Sequence, residues 1–303
     1  MGLRQEGLRL KFQNIKFAVI GGDLRQIKLS NFLAREGYEV RVFGFNGIDF
    51  EENVIVSNTL PDVVFNADIV IGPIPCSQEN VTLYTKYYEP SILLEDVFKY
   101  ISKDKVFMAG RITPEIQRIA NHYDFKVVDL LAREELAVLN AIPTAEGAIQ
   151  YAMENSDITL HGSQCLVLGF GRCGKILAHK LKGLDAQLTV EARNPKDLAY
   201  IKSYGYRSLH LHDLKDNIAS FDFIFNTIPS LILDRERLKL VKKGCVIIDL
   251  ASKPGGVDYN AARELSIKAI SALSLPGKVA PESAALIIRD TIFSVYSEMG
   301  VIL

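Results

Sequence analysis

The chain of 303 residues lacks several features that would point to a membrane, a nucleic acid or a metal. No segment approaches the roughly 20 consecutive apolar residues that cross a bilayer. The N-terminus lacks the apolar stretch of a signal peptide, so we expect a cytoplasmic protein. The 35 Lys and Arg residues balance 36 Asp and Glu residues, which favours neither nucleic acid nor an anionic membrane surface as a partner. The four cysteines form no CxxC pair, so we expect neither a disulfide framework nor a bound metal.

What the sequence does contain is a repeated alternation of short β-rich runs and amphipathic segments, which is typical of parallel βα units. The first half opens with a buried-strand pattern at residues 17–20, and the second half opens with another at residues 164–168. Hydrophobic residues make up 48% of the chain, and its length suits two domains. The sequence therefore predicts an α/β protein with two Rossmann-like, doubly wound domains that contain parallel sheets and are joined by a bridging helix.

The domain boundaries follow from this alternation. We expect an N-terminal Rossmann-like substrate or partner domain at residues 1–140, the bridging helix at 141–155, an NAD(P)-binding Rossmann domain at 156–280, and a C-terminal helix at 281–303 that packs back across the junction. Pro143 interrupts the Glu-, Ala- and Leu-rich stretch at residues 133–155. It predicts one helix that ends before the proline and a second that starts near Thr144.

The strongest motif is a glycine-rich turn, GFGRCG, at residues 169–174. It follows a hydrophobic strand and opens a helix, which is the context that a dinucleotide-binding fingerprint requires. Gly169 allows a tight turn, Gly171 lets a pyrophosphate approach the backbone, and Gly174 lets the helix pack closely on the strand. Amides at the helix N-terminus, which begins near Arg172, would meet the phosphate charge.

The end of the next strand distinguishes NAD from NADP, because an acidic residue there binds the ribose hydroxyls and an arginine accommodates a 2′-phosphate. If the strand ends at residue 190, Glu191 is that acid and the cofactor is NAD. Matching the apolar alternation instead puts Ala192 at the acid's position, with Arg193 and Asn194 free to hold the phosphate. We favour NADP(H) and keep NAD as the alternative.

Two further buried strands end in polar or glycine-rich segments, at residues 225–229 and 247–256. Ligands of open α/β sheets bind at the carboxyl ends of the strands, so both segments are predicted to face the nicotinamide half of the cofactor. The expected contacts in the first segment are Thr227, Ile228 and Pro229. Ordinary turn chemistry is the alternative explanation for the proline and the glycines.

These segments together resemble the family formed by the A subunits of dipicolinate synthase. The resemblance is carried, in order, by residues 21–26 (GGDLRQ), 143–147 (PTAEG), 169–174, 192–194 (ARN), 226–229 (NTIP), 249–257 (DLASKPGGV) and 275–281 (LPGKVAP). It implies a spore-forming bacterium and the NADP-dependent oxidation of a dihydrodipicolinate-level precursor to dipicolinate, a branch of the lysine and diaminopimelate pathway. It also implies a flavoprotein-like partner, the B subunit of the synthase, and it leaves a homo-oligomer open.

A dicarboxylate substrate would need cationic or hydrogen-bonding groups on both sides. The candidate substrate-binding residues are Arg25, Arg111, Thr144, Lys253 and Lys278, and the candidate proton acceptors are Asp23 and Glu146. A solvated surface position is the alternative for each cation. Glu146 also suits the first turn of a helix, where its charge complements the dipole.

Two other functions stay open at this point. A D-2-hydroxyacid dehydrogenase would need a catalytic histidine near the C-terminal end and an arginine after the strand that ends at Asp249, and residues 252–253 and 280–282 contain neither. The histidines lie elsewhere, and His210 and His212 are interpreted as ordinary surface residues. The other alternative is a non-catalytic subunit that senses NADP(H), since no catalytic triad is visible.

Overall fold

The computed structural model describes residues 15–300, which divide into two compact units. The first unit is formed by residues up to Ala137 together with residues from Ala280 onward, and the second is Val138–Val279. Within residues 15–300, no helix is long and apolar enough to cross a membrane.

The first unit contains a six-stranded parallel sheet with the strand order β3-β2-β1-β4-β5-β6. Its elements in chain order are β1 Lys16–Ile20, α1 Leu24–Arg35, β2 Glu39–Phe43, β3 Val54–Val56, α2 Leu60–Phe65, β4 Ile69–Ile71, α3 Leu94–Phe98, β5 Val106–Ala109, α4 Pro114–Asn121 and β6 Lys126–Asp129.

Strand β1 shows why this sheet is covered on both faces. Phe17 and Val19 point into one core, which they share with Leu29 of α1. Ala18 and Ile20 point into the opposite core, which also contains side chains of α3. Because successive strand residues alternate between faces, a strand that is buried on both sides reads as a continuous apolar run.

Helix α5 (Glu134–Glu154) contains the boundary between the units and runs without a break through Pro143. The expected interruption at the proline is therefore wrong. The stripe formed by Ala145, Ala148 and Ala152 is buried in the core of the second unit. The Thr144 hydroxyl donates a 2.7 Å hydrogen bond to the Asn140 carbonyl in the turn around the proline. This packing offsets the cost of an internal proline, about 3 kcal/mol.

The second unit repeats the topology, with the strand order β12-β11-β10-β7-β8-β9, all parallel. Its elements are β7 Gln164–Leu168, α6 Arg172–Gly183, β8 Gln187–Ala192, α7 Pro195–Ser203, β9 Arg207–His210, α8 Leu214–Asn217, β10 Phe223–Asn226, α9 Arg235–Leu238, β11 Val246–Asp249, α10 Tyr259–Glu264, β12 Lys268–Ser271 and α11 Leu275–Val279. Two doubly wound sheets of 3-2-1-4-5-6 order confirm the predicted fold class.

The last helix, α12 (Pro281–Glu298), lies within the first unit, where it packs against α1. An ion pair joins Arg289 of α12 to Glu36, just after α1. A second joins Arg133 to Glu298 at 2.6 Å. Ile288 and Ile292 fill the core between the helix and the sheet, so the C-terminal segment completes the first unit.

Candidate functional site

The loop between β7 and α6 requires glycine for steric reasons at two of its three glycine positions. Gly169 has a φ of +93°, and a Cβ there would lie 2.6 Å from Oγ1 of Thr227. A Cβ on Gly174 would lie 2.2 Å from the carbonyl oxygen of Gly169. Neither position tolerates a side chain, because atoms approach closely from the turn itself and from the end of β10.

Gly171 differs from the other two glycines because a Cβ there would meet nothing within 4 Å. It is the N-cap residue of α6, and as a glycine it brings no capping side chain to this end of the helix. The first amides of a helix have no partner within the helix, and a helix N-terminus of this kind attracts anions. An open approach at Gly171 and a glycine N-cap therefore fit the pyrophosphate of a dinucleotide.

The corresponding turn of the first unit is filled by the chain itself. Asp23 is the N-cap of α1, and its carboxylate accepts the amide of Arg25 at 3.0 Å. The Gln26 side chain in turn accepts the Asp23 amide at 3.0 Å. The amide of Gly22 donates to the Tyr84 carbonyl at 2.9 Å. Because a carboxylate already occupies the helix N-terminus, this turn does not offer a second phosphate site.

Asp23 and Arg25, a candidate base and a candidate substrate ligand, contact each other. The Arg25 guanidinium donates from Nε at 2.9 Å and from Nη2 at 2.8 Å to the Asp23 carboxylate. Nη2 also donates to the carbonyl of Ile74. Only 7% of the Arg25 side chain and 14% of the Asp23 side chain are exposed. The two form a buried ion pair in which each charge neutralises the other.

At the end of β8, the structure resolves where Glu191 lies. The strand continues through Ala192, and the Glu191 side chain is fully buried. Oε2 accepts the Gly169 amide at 3.1 Å, and Oε1 is buried without a hydrogen-bond partner among residues 15–300. Burial is the main cause that raises the pKa of Glu191. This carboxyl group supports the glycine loop from inside.

Arg193 and Asn194, the predicted phosphate ligands, follow directly and are exposed. Asn194 is the N-cap of α7: its Oδ1 accepts the Asp197 amide at 2.7 Å, and its Nδ2 donates to the Asp197 carboxylate at 2.6 Å. Both polar atoms of Asn194 are thus engaged in the cap. The Arg193 side chain is an exposed cation at this corner of the sheet.

The carboxyl ends of β10 and β11 form a buried polar network that the sequence did not reveal. Asn226 donates to Oδ1 of Asp249 at 2.8 Å, and Tyr259 donates to Oδ2 of the same carboxylate at 2.9 Å. Burial and the Asp249 charge raise the pKa of Tyr259 to about 12. A Cβ on Gly256 would lie 1.9 Å from Nδ2 of Asn226. The network fixes residues 250–256, and a polar residue ending each apolar strand was its only sequence signal.

Thr227 and Ile228 lie half-buried beside this network, and Pro229 is exposed. The Thr227 hydroxyl donates to the Leu168 carbonyl at 2.8 Å, which joins the end of β10 to the start of the glycine loop. The Ile228 amide donates to Oδ1 of Asn226 at 3.2 Å. These contacts bring the predicted nicotinamide-side residues to the same sheet edge as the glycine loop.

The remaining charged candidates are all exposed. Glu146 is exposed and pairs with Lys180 on α6 at 2.7 Å. Arg111 is exposed in a left-handed turn with a φ of +58°, where its amide donates to Asp129 at 2.8 Å. Lys253 and Lys278 are exposed in the second unit. Within residues 15–300, no group of three or more His, Cys, Asp or Glu side chains is arranged to hold a metal ion.

The glycine loop, the helix that follows it and the strand order are those of a dehydrogenase-type dinucleotide-binding unit. Residues 144–261 match the family model for the D-isomer specific 2-hydroxyacid dehydrogenase NAD binding domain. Residues 16–131 match the model for the N-terminal domain of the dipicolinate synthase A subunit.

Relatives that match nearly the whole chain identify the family. The chain is 33% identical to the A subunit of dipicolinate synthase from Bacillus subtilis over 94% of its length and 97% of that protein. A crystal structure of the same Bacillus subtilis subunit superposes with a TM-score of 0.85 at 32% identity, covering 95% of this chain and 98% of that one. The structure of the Bacillus halodurans counterpart gives 0.84 at 32% identity, with 93% and 97% covered. The chain belongs to the family of dipicolinate synthase A subunits, which confirms the resemblance.

Proposed function

We propose that this protein oxidises a dihydrodipicolinate-level precursor to dipicolinate with NADP⁺ as the acceptor, during spore formation, as one component of a two-subunit synthase. The observation that carries the redox part is the open approach at Gly171, the glycine N-cap of α6, within a glycine loop of dinucleotide-binding geometry. Membership of the dipicolinate synthase family supports the substrate and the partner. In this proposal the second unit binds the dinucleotide, and the first unit serves the substrate or the partner protein.

The preference for NADP⁺ rests on which side chains remain available after β8. A carboxylate that reads ribose hydroxyls must reach them, but Glu191 is buried and bound to the Gly169 amide. Arg193 is exposed at the next position outside the strand. A guanidinium binds phosphate in bidentate geometry, so Arg193 is the residue that would hold the 2′-phosphate.

The reaction removes a hydride from a ring carbon and a proton from a neighbouring position, which yields the aromatic pyridine dicarboxylate, NADPH and a proton. When bound, the nicotinamide supplies the hydride acceptor. The chain would hold the glycine loop and residues 250–256 in place through Thr227, Asn226 and Asp249. Lys253 on that loop is exposed and free to face a substrate carboxylate. Orientation of the ring is then the main task of the protein, since aromatisation drives the step.

The chain alone is an incomplete enzyme in this proposal. Both candidate carboxylates are engaged in ion pairs, Asp23 with Arg25 and Glu146 with Lys180. Neither is therefore a free general base. General acid–base catalysis contributes typically about 10²–10⁴-fold, so a chain without it would turn over slowly. A flavoprotein-like second subunit would supply the proton-transfer group or exclude water from the site.

The test is NADPH formation from freshly prepared dihydrodipicolinate, measured with this chain alone and again with the second subunit. We expect slow turnover by the chain alone and a large rise when the partner is added. Full activity from the chain alone would refute the need for a partner. NADPH binding without turnover in any mixture would instead identify a non-catalytic protein that senses the cofactor.

A further inference from the structure

The connection between β8 and α7 consists of Arg193 and Asn194, and its two ends are fixed. Ala192 ends the strand in register with His210 of β9. Asn194 is held by its two hydrogen bonds to Asp197. The direction of the Arg193 side chain therefore depends on the backbone of one residue, and any contact to that backbone helps to set it.

His210 makes such a contact. Its Nε2 lies 3.0 Å from the carbonyl oxygen of Arg193, and its Nδ1 accepts the His212 amide at 3.3 Å. Because Nδ1 accepts, the ring proton lies on Nε2, which donates to the Arg193 carbonyl. The His212 ring stacks on the His210 ring at 4.7 Å between centroids. Both nitrogens of His210 are thus used, and the ring joins the end of β9 to the residue that follows β8.

We propose that His210 is a positioning residue for Arg193, and through it a determinant of specificity for a 2′-phosphorylated dinucleotide. This inference rests on the proposed NADP preference. The 2′-phosphate would bind the Arg193 side chain, while the Arg193 carbonyl is held by the imidazole on its other side. Glu191 takes no part in reading the ribose, since its carboxyl group faces the Gly169 amide.

A purely structural role for His210 predicts a different result from a positioning role. If the imidazole only stabilised the sheet, its loss would lower the free energy of unfolding and weaken NADPH and NADH equally. If it positions Arg193, its loss should weaken NADPH alone, because NADH has no 2′-phosphate for the arginine to bind. The ratio of the two affinities therefore separates the roles.

The experiment compares four variants by calorimetric titration with NADPH and with NADH. His210→Leu removes the donor, and His210→Gln keeps a side-chain N–H donor. His212→Leu removes the ring that stacks on His210 but keeps the backbone amide that hydrogen-bonds to it, so this variant separates the stacking contact from the hydrogen bond to Arg193. Arg193→Ala removes the cation itself. Urea unfolding of each variant shows that it is folded.

We expect His210→Leu to weaken NADPH binding about three- to tenfold, the loss of one neutral hydrogen bond, and to leave NADH binding unchanged. His210→Gln should recover part of the loss, and His212→Leu, which keeps the Nε2 donor of His210, should weaken NADPH binding less than His210→Leu does. Arg193→Ala should weaken NADPH binding more than any of the other variants.

If Arg193→Ala weakens NADPH selectively and His210→Leu does not, the positioning role of His210 is overturned while the NADP preference stands. No selective effect of Arg193→Ala would overturn the NADP preference, and the role of His210 with it. An equal loss of both cofactors in His210→Leu would show a structural role.

Discussion

Replacing Gly171 by alanine should separate dinucleotide binding from folding. Gly171 has an extended backbone with a φ of −76°, which alanine also adopts, and an added methyl group would meet no atom of the chain within 4 Å. The free energy of unfolding should therefore change by about 1 kcal/mol or less. Because Gly171 immediately precedes α6, the same methyl group should keep a pyrophosphate from the first amides of the helix. Losing one charge-assisted hydrogen bond costs about 1.5–3 kcal/mol, or about ten- to a hundredfold in affinity.

Gly174→Ala is the matched control, because there the methyl group would lie 2.2 Å from the Gly169 carbonyl oxygen. Overpacking of this kind destabilises a fold by about 1–3 kcal/mol. Urea unfolding measures the stability of both variants, and calorimetric titration measures NADPH binding. We expect Gly171→Ala to lose affinity at wild-type stability, and Gly174→Ala to lose stability. A Gly171→Ala variant that binds NADPH like the wild type would refute the placement of the pyrophosphate.

Three further predictions concern buried polar groups. Asp23→Asn keeps a capping oxygen but leaves the buried Arg25 without its countercharge, so we expect a destabilisation of about 3–5 kcal/mol by urea unfolding. Because burial raises the pKa of Glu191, the folded state holds this proton more tightly, and stability should fall as pH rises above the ordinary carboxyl pKa. Glu191→Gln, which keeps an acceptor for the Gly169 amide, should abolish that part of the pH dependence. Tyr259→Phe removes a donor from Asp249 and should cost about 1–3 kcal/mol in the same assay, whereas no loss would show that another group satisfies the carboxylate.

Long apolar strands and the glycine loop could be predicted from the sequence because both are set by local rules. Strand β7 lies where its pattern places it, at Gln164–Leu168. Strand β3 has no such pattern in the sequence, because it has three residues and Ile55 and Val56 are exposed at the edge of the sheet. Pro143 misled the prediction because tertiary packing of an alanine stripe outweighs a local helix-breaking preference.

At the candidate site, the glycine spacing reflects steric requirements and could be recognised in the sequence. The hydrogen-bond partners of the side chains could not be predicted from it. The direction of Glu191 depends on where β8 ends, and an extension to Ala192 turns the carboxylate toward the Gly169 amide. Asp23 is a helix N-cap, a role that the sequence permits. The burial of its ion pair with Arg25 depends on the surrounding chain and could not be predicted locally. Contacts between distant segments, such as His210 with Arg193, leave no local pattern.

The most direct test of the central claim is calorimetric titration of the wild-type protein with NADPH and, separately, with NADH. The account predicts that one dinucleotide binds per chain, in the second unit, and that NADPH binds about ten- to a hundredfold more tightly, as expected for one bidentate arginine–phosphate contact. Equal affinity or tighter binding of NADH would contradict the assignment of Arg193. Absence of binding by either cofactor would contradict the site itself.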